Sequence, residues 1–462
     1  MRIHRLAVIY FAAVLGAYAQ LPDFTPPTPL IAAAMHNDVQ EVKRLLDAGA
    51  DPNEGRFLGA PPLLLALMRS DRGMAGVMMA KGADIMATDG FGNTSLMWAA
   101  YGETADPALV RELLTKGMDP NAKNKAGETA LQWALRRGST PVVEVLRKGG
   151  ASDRELVKQS IEKAVTLLAK SGPQFVRVSG CTSCHHQSLP QMAFAAARAG
   201  GFTVDEKTAK YQVDAVIAMF KPVTEPMAAG KINLPDPAVT VSYALVGLAA
   251  EGYAPDTTTD AMAHVVASQQ TADGSFLVFP ARPPIESSVF TATALSVRGL
   301  QKYGNNPGEA IERARKWLET AQPNTTEDRA MQLLGLAWSD GDRTRIEKAA
   351  AALVAEQRAD GGWAQLPALQ SDAYATGQAM AALRIAGMES AGAAWQKGAG
   401  FLLRTQLDDG SWLVKSRTLP FQPYKESGFP HGKDQWISAA GTSWAVLALS
   451  QGEPNKLVAS LQ

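Results

Sequence analysis

The chain has 462 residues, enough for more than one domain and for a large buried core. Hydrophobic residues make up 46% and charged residues 19%, which excludes a disordered or fibrous chain. Forty-five Lys and Arg balance 45 Asp and Glu, so no basic footprint for nucleic acid exists, and two cysteines exclude a disulfide-stapled scaffold.

The first element is a leader. Met1 to Arg5 is short and basic, Leu6 to Gly16 is apolar and uncharged, and Ala17-Tyr18-Ala19 offers an A-x-A cleavage site. The pattern predicts a signal peptide over residues 1–19, cleaved after Ala19, and an exported product in a bacterial periplasm or medium. The apolar run falls well short of the ~18 residues a spanning helix needs. No later stretch meets that length, so no transmembrane segment is expected.

Residues 20–152 hold a first repeat system. TPLIAAA at Thr28, PPLLLAL at Pro61, NTSLMWAA at Asn93 and ETALQWAL at Glu128 each open a helix pair, and the second is degenerate. The pairs end in glycine turns whose Gly49, Gly82, Gly117 and Gly149 lie 33, 35 and 32 residues apart. Opening and period resemble the ankyrin repeat. A helix pair cannot bury its apolar face alone, so neighbours must stack. The resemblance implies a protein partner bound through the repeats.

A second repeat system occupies residues 153–462. Gln270-x-x-x-Gly274-x-Phe276, Gln357-x-x-x-Gly361-x-Trp363 and Gln406-x-x-x-Gly410-x-Trp412 share one template between an amphipathic helix and a helix rich in small residues. This Q-x-x-x-G-x-W/F turn resembles the QW repeat of squalene cyclases and their prenyltransferase-like relatives. Extending the pairing predicts outer helices near 153–171, 205–220, 257–270, 308–321, 342–357 and 391–406. The matching inner helices fall near 188–200, 239–252, 287–303, 326–338, 372–387 and 438–451. The resemblance therefore implies an all-α chain, an ankyrin-repeat solenoid followed by an (α/α)6 toroid. Asp273, Asp360 and Asp409 precede the turn glycines and read as turn formers.

The chemistry concentrates at residues 181–185. Cys181-Thr182-Ser183-Cys184-His185 matches the C-x-x-C-H site of c-type haem attachment, in which two thiols bind the haem covalently and the histidine is the proximal iron ligand. Zinc is an alternative cofactor, with Cys181, Cys184 and His185 as donors still wanting one more, and a disulfide is a third reading. In a closed ring the sixth connection lies beside the first. It carries Phe421, Tyr424, Phe429, His431 and Trp436, so His431 is the distal candidate and Met192 the alternative.

The same resemblance raises cyclase chemistry, which needs an acidic D-x-D-D motif. The matching segment, Asp372-Ala373-Tyr374-Ala375-Thr376, keeps its first Asp and places Tyr374 where the proton donor belongs. A phenol with a pKa near ~10 is a poor acid for an alkene. Glu286 and Glu327, near the starts of other inner helices, read as helix N-terminal charges. The favoured function is redox: electron transfer, or oxidation of a small apolar, isoprenoid-like molecule held in the ring. A terpenoid cyclase or prenyltransferase without redox role, and a non-catalytic scaffold with a structural zinc, are the alternatives. Polysaccharide processing, which α/α toroids also host, is a weaker one.

Overall fold

In the computed structural model the described residues are 26–451, except 103, 138–139, 153, 280–281, 389–391 and 420–423. The expected signal peptide and Phe421 lie outside them. The chain divides after Ser152 into two units. Among the described residues the elements are helices, with isolated bridges in place of strands.

The first unit stacks α1 (Pro29–Met35), α2 (Val39–Asp47), α3 (Pro62–Met68), α4 (Arg72–Ala80), α5 (Ser95–Tyr101), α6 (Pro107–Thr115), α7 (Ala130–Leu135) and α8 (Pro141–Lys148). The threonine of each T-x-L opening caps its helix: Thr28, Thr94 and Thr129 accept from the N–H groups of Ile31, Met97 and Gln132. Degeneracy of the second repeat has a physical meaning, since Pro61 at that position gives α3 no side-chain cap. The fourth turn corrects the glycine register. Gly49, Gly82 and Gly117 have φ of +93°, +89° and +90°, but their fourth counterpart is Gly150 at +94°, not Gly149.

The second unit alternates outer and inner helices. The outer set is α9 (Arg154–Ser179), α11 (Glu206–Phe220), α14 (Thr257–Ala267), α16 (Gly308–Thr320), α18 (Arg343–Ala355) and α20 (Ala393–Thr405). The inner set is α10 (Leu189–Ala199), α13 (Pro237–Ala250), α15 (Val289–Tyr303), α17 (Thr326–Trp338), α19 (Ala373–Ile385) and α21 (Gln435–Ser450), with a short extra helix, α12 (Thr224–Ala228), before α13. Each inner helix packs on the next and α21 packs back on α10, which closes the ring. One boundary differs from expectation. α9 runs to Ser179 because Leu168, Ser171, Gly172 and Phe175 continue its buried stripe past the predicted end.

The three turns act as clasps between consecutive hairpins. Gln270 Nε2 donates to the carbonyls of Gly274 (3.0 Å) and Ala310 (2.8 Å). Gln357 Nε2 reaches Gly361 (2.8 Å) and Ala394 (2.7 Å), and Gln406 Nε2 reaches Gly410 (3.0 Å) and Ser160 (2.9 Å). The third clasp therefore ties the last hairpin to the first outer helix. Each turn glycine lets the next outer helix approach: a Cβ on Gly361 would stand 2.4 Å from the Lys397 carbonyl oxygen. The aspartates are structural, with Asp273, Asp360 and Asp409 accepting from turn N–H groups at 3.0, 2.9 and 2.9 Å.

Candidate functional site

Cys181 to Ser183 form the connection from α9 toward α10, and Cys184–Ser188 wind into a π-turn that runs directly into α10. Both thiols are unpaired and half-buried. Cys184 Sγ faces Glu286 Oε1 at 3.8 Å, and Glu286 forms an ion pair with Arg282. Burial and the Glu286 charge push the Cys184 thiol well above its ordinary range.

Ring closure supplies the surroundings of the histidines. The His185 ring stacks on Trp436 of α21 (5.3 Å between centroids) and meets Phe175 of α9 edge-on at 5.1 Å. His186 stacks on Phe175 (4.7 Å) and meets Phe429 edge-on (6.3 Å). Tyr424 extends the aromatic layer over Trp436. Burial, with Arg282 second, holds His185 neutral, its pKa lowered to about 3.

Hydrogen bonds assign the tautomers. Gln435 Nε2 donates to the Gly432 carbonyl and Gln435 Oε1 accepts from the Ser427 N–H (2.7 Å), which fixes the orientation of that amide. Ser427 Oγ then donates its single proton to Gln435 Oε1. His186 Nε2, 2.8 Å from Ser427 Oγ, must be the donor in that contact, so His186 Nδ1 carries a lone pair. That atom faces His185 Nδ1, which is therefore protonated and donates to it. His185 Nε2 is left as a lone pair without a hydrogen-bond partner.

The distal candidates are placed differently. Met192 is inside α10 and 7% exposed, within the core. His431 Nε2 lies 2.8 Å from Ser411 Oγ, which itself bonds Asp409 (2.6 Å), so His431 is engaged with the third turn. Its ring meets Phe429, while its loop carries Phe429 and Trp436 to the motif. Sequence reasoning passed over Met219, whose half-exposed Sδ receives Thr182 Oγ1 at 2.8 Å. A thioether four turns along an outer helix carries no local signal.

Asp372 caps α19, accepting from Ala375 N–H and Gln365 Nε2 (both 2.9 Å), and burial raises its carboxyl to about 6. Glu327 does occupy the first turn of α17, but its carboxylate accepts from Thr291 on α15 (2.6 Å). Glu286 precedes α15 and pairs with Arg282. Among the described residues, no three His, Cys, Asp or Glu side chains are grouped to hold a metal ion, and no helix is long and apolar enough to cross a membrane.

Comparison with known families places both repeat systems. Residues 28–55 match the ankyrin repeat and residues 63–155 match ankyrin repeats in three copies. Residues 309–406 match the squalene-hopene cyclase N-terminal domain. The protein is thus an all-α chain with N-terminal ankyrin repeats followed by a squalene-cyclase-like helical ring. A bovine (Bos taurus) mitochondrial disaggregase is 38% identical over 80 residues, which cover 17% of this chain and 12% of that protein. The chain thus spans a small fraction of that relative's length.

Proposed function

We propose that this chain is an exported redox protein carrying one covalent haem c at the mouth of the helical ring, with the ankyrin stack docking a protein partner. The observation that carries the reading is the pairing of two free thiols with an adjacent neutral imidazole whose Nε2 lone pair is left open by the Gln435–Ser427–His186 relay. The donor set fits the group: Cys181 and Cys184 would tether it and His185 would be the proximal ligand. Bound haem supplies one-electron iron chemistry.

The chain's own residues do the rest. His186 holds the His185 tautomer, as a hydrogen-bond partner on the far ring nitrogen does for a metal-bound histidine. Phe175, Phe429 and Trp436 exclude water from the imidazole pair. His431 is the distal candidate, which would exchange its Ser411 bond for iron, and Met192 is the alternative. A partner would meet Leu58, Phe91 and Tyr101, which are 60%, 70% and 45% exposed on the ankyrin unit. Oxidation of a small apolar, isoprenoid-like molecule in the ring is the enzymatic form of this reading. Structural zinc on Cys181, Cys184 and His185, which would want one further donor, is the alternative cofactor.

The test is a visible spectrum with a pyridine haemochrome assay on protein made with haem-maturation machinery. A Soret band that survives acid–acetone extraction is expected. A colourless product would overturn the proposal.

A further inference from the structure

The connections between the ankyrin helix pairs, residues 48–61, 81–94 and 116–129, each fold into a hairpin finger that turns on a left-handed glycine. These are Gly59, Gly92 and Gly127, with φ of +82°, +77° and +79°. The residue before each glycine, Leu58, Phe91 and Ala126, is exposed at the tip. Neighbouring fingers touch: a Cβ on Gly59 would stand 2.7 Å from the Gly90 nitrogen, and the Lys125 N–H donates to the Phe91 carbonyl at 3.0 Å. The tips therefore form one ridge along the first unit.

Leu58 does not suit its own turn. Phe57 and Ala60 exchange both backbone hydrogen bonds at 2.9 Å, so Leu58-Gly59 is a two-residue turn with φ of +50° and +82°. Such a turn favours asparagine, aspartate or glycine at its first position, because a leucine Cβ crowds the left-handed backbone. The leucine side chain nonetheless stays largely in solvent, as does that of Phe91 between its two glycines. A side chain that strains its backbone and covers little of its own unit points to a surface outside it.

Two fixed cations flank the apolar tips. Arg56 Nη1 donates to the carbonyls of Gly59 (3.3 Å) and Thr88 (3.1 Å), and Lys125 Nζ donates to the carbonyl of Gly90 (2.8 Å). Each cation thus staples two fingers through carbonyl oxygens, and among the described residues neither has a carboxylate partner. The acids at the bases of the fingers are engaged within the unit, Asp89 by Trp98 Nε1 (3.0 Å) and Glu128 by Trp133 Nε1 (2.9 Å). Apolar tips between two held, unneutralised cations complement a partner that is apolar and acidic.

We infer that this ridge docks an acidic segment of a partner protein, which seats an aliphatic or aromatic side chain against Leu58 and Phe91 and sets carboxylates against Arg56 and Lys125. It is the docking already proposed for the ankyrin unit, narrowed to one ridge and one chemistry, and it rests on that reading. It requires no haem.

The test is selection of a phage-displayed random dodecapeptide library on the full chain, followed by titration of the enriched peptides. These are expected to carry aspartate or glutamate around an aliphatic or aromatic residue, and to bind more weakly as salt rises. Leu58→Asn/Phe91→Ser should weaken them at least about tenfold, and Arg56→Gln/Lys125→Gln by a similar factor. Glu54→Gln, which removes an exposed carboxylate two residues from Arg56, should tighten them. Enriched peptides that are basic or uncharged, or that bind these variants as well as the wild type, would overturn the ridge while leaving protein docking by the unit intact. A library that yields no binder would overturn both. Phosphatidylserine vesicles that bind the ridge in place of peptides would make it a membrane contact and overturn the inference. Leu58→Asn alone should melt at or above the wild-type temperature, since asparagine accepts a left-handed turn. A lower midpoint would show that the leucine serves the fold, and would overturn its role in docking.

Discussion

Replacing Gln406 by alanine removes the clasp between the last hairpin and the first. Two hydrogen bonds are lost, to the Ser160 carbonyl at 2.9 Å and to the Gly410 carbonyl at 3.0 Å. At about 1 kcal/mol net for each, the expected destabilisation is about 2 kcal/mol. Gln357→Ala loses the equivalent pair, at 2.7 and 2.8 Å, and should cost the same amount. The two variants separate by where they loosen the molecule. Gln406→Ala opens the junction of residues 246 apart in sequence, so hydrogen exchange should rise across α9 and the Cys184–Ser188 turn. Gln357→Ala should raise exchange at the start of α20 and leave α9 protected. Calorimetry gives the magnitude and exchange mass spectrometry the location. A loss under about 0.5 kcal/mol for Gln406→Ala, with unchanged exchange in α9, would refute ring closure through this clasp.

Three further outcomes are expected. Burial raises Glu327 to about 7 against an ordinary 4.5, so the folded state holds its proton more tightly. The resulting stability, about 3 kcal/mol, is fully present below the unfolded pKa and is lost as pH rises through about 7. The groups facing Glu327 are Thr291, Tyr243, Tyr374, Gln378, Asp328 and Arg417, and Asp372, raised to about 6, adds a similar loss. His185 and His186, kept neutral by burial, add stability over the same pH range and oppose that loss, so the assignment is read from a difference: between pH 5 and 8 urea titrations should show the wild type losing about 2 kcal/mol relative to Glu327→Gln, and an equal pH dependence of the two would refute it. In haem-loaded protein, Ser427→Ala should free the His185 tautomer and shift the reduction potential with the haem still attached. An unaltered potential would remove the relay from the site. His431→Ala should turn a low-spin spectrum high-spin, and an unchanged spectrum would exclude His431 as the distal ligand.

The ring was legible because its constraints repeat. A glutamine, a glycine and an aromatic at fixed spacing recur at three clasps between hairpins, and the predicted inner and outer helices fall within a few residues of the observed ones, except α9, which runs on to Ser179. The ankyrin unit was legible for the same reason, apart from the one-residue shift to Gly150 where two glycines adjoin. The site was less so. Cys181, Cys184 and His185 form a contiguous pattern, but His186 draws its meaning from Ser427, 241 residues away, and Ser427 from the orientation of Gln435. No local periodicity marks such a chain of single contacts.

The distance between the cysteine motif and its cover also imposes an order of assembly. Synthesis from the N-terminus makes the thiols at 181 and 184 long before Ser427 and Trp436, which enclose the neighbouring histidines. During that interval the motif stands uncovered on an incomplete ring. The last hairpin to be synthesised then shuts the ring and sets the imidazole tautomer, so under the haem proposal attachment would have to precede closure, which would act as its lock.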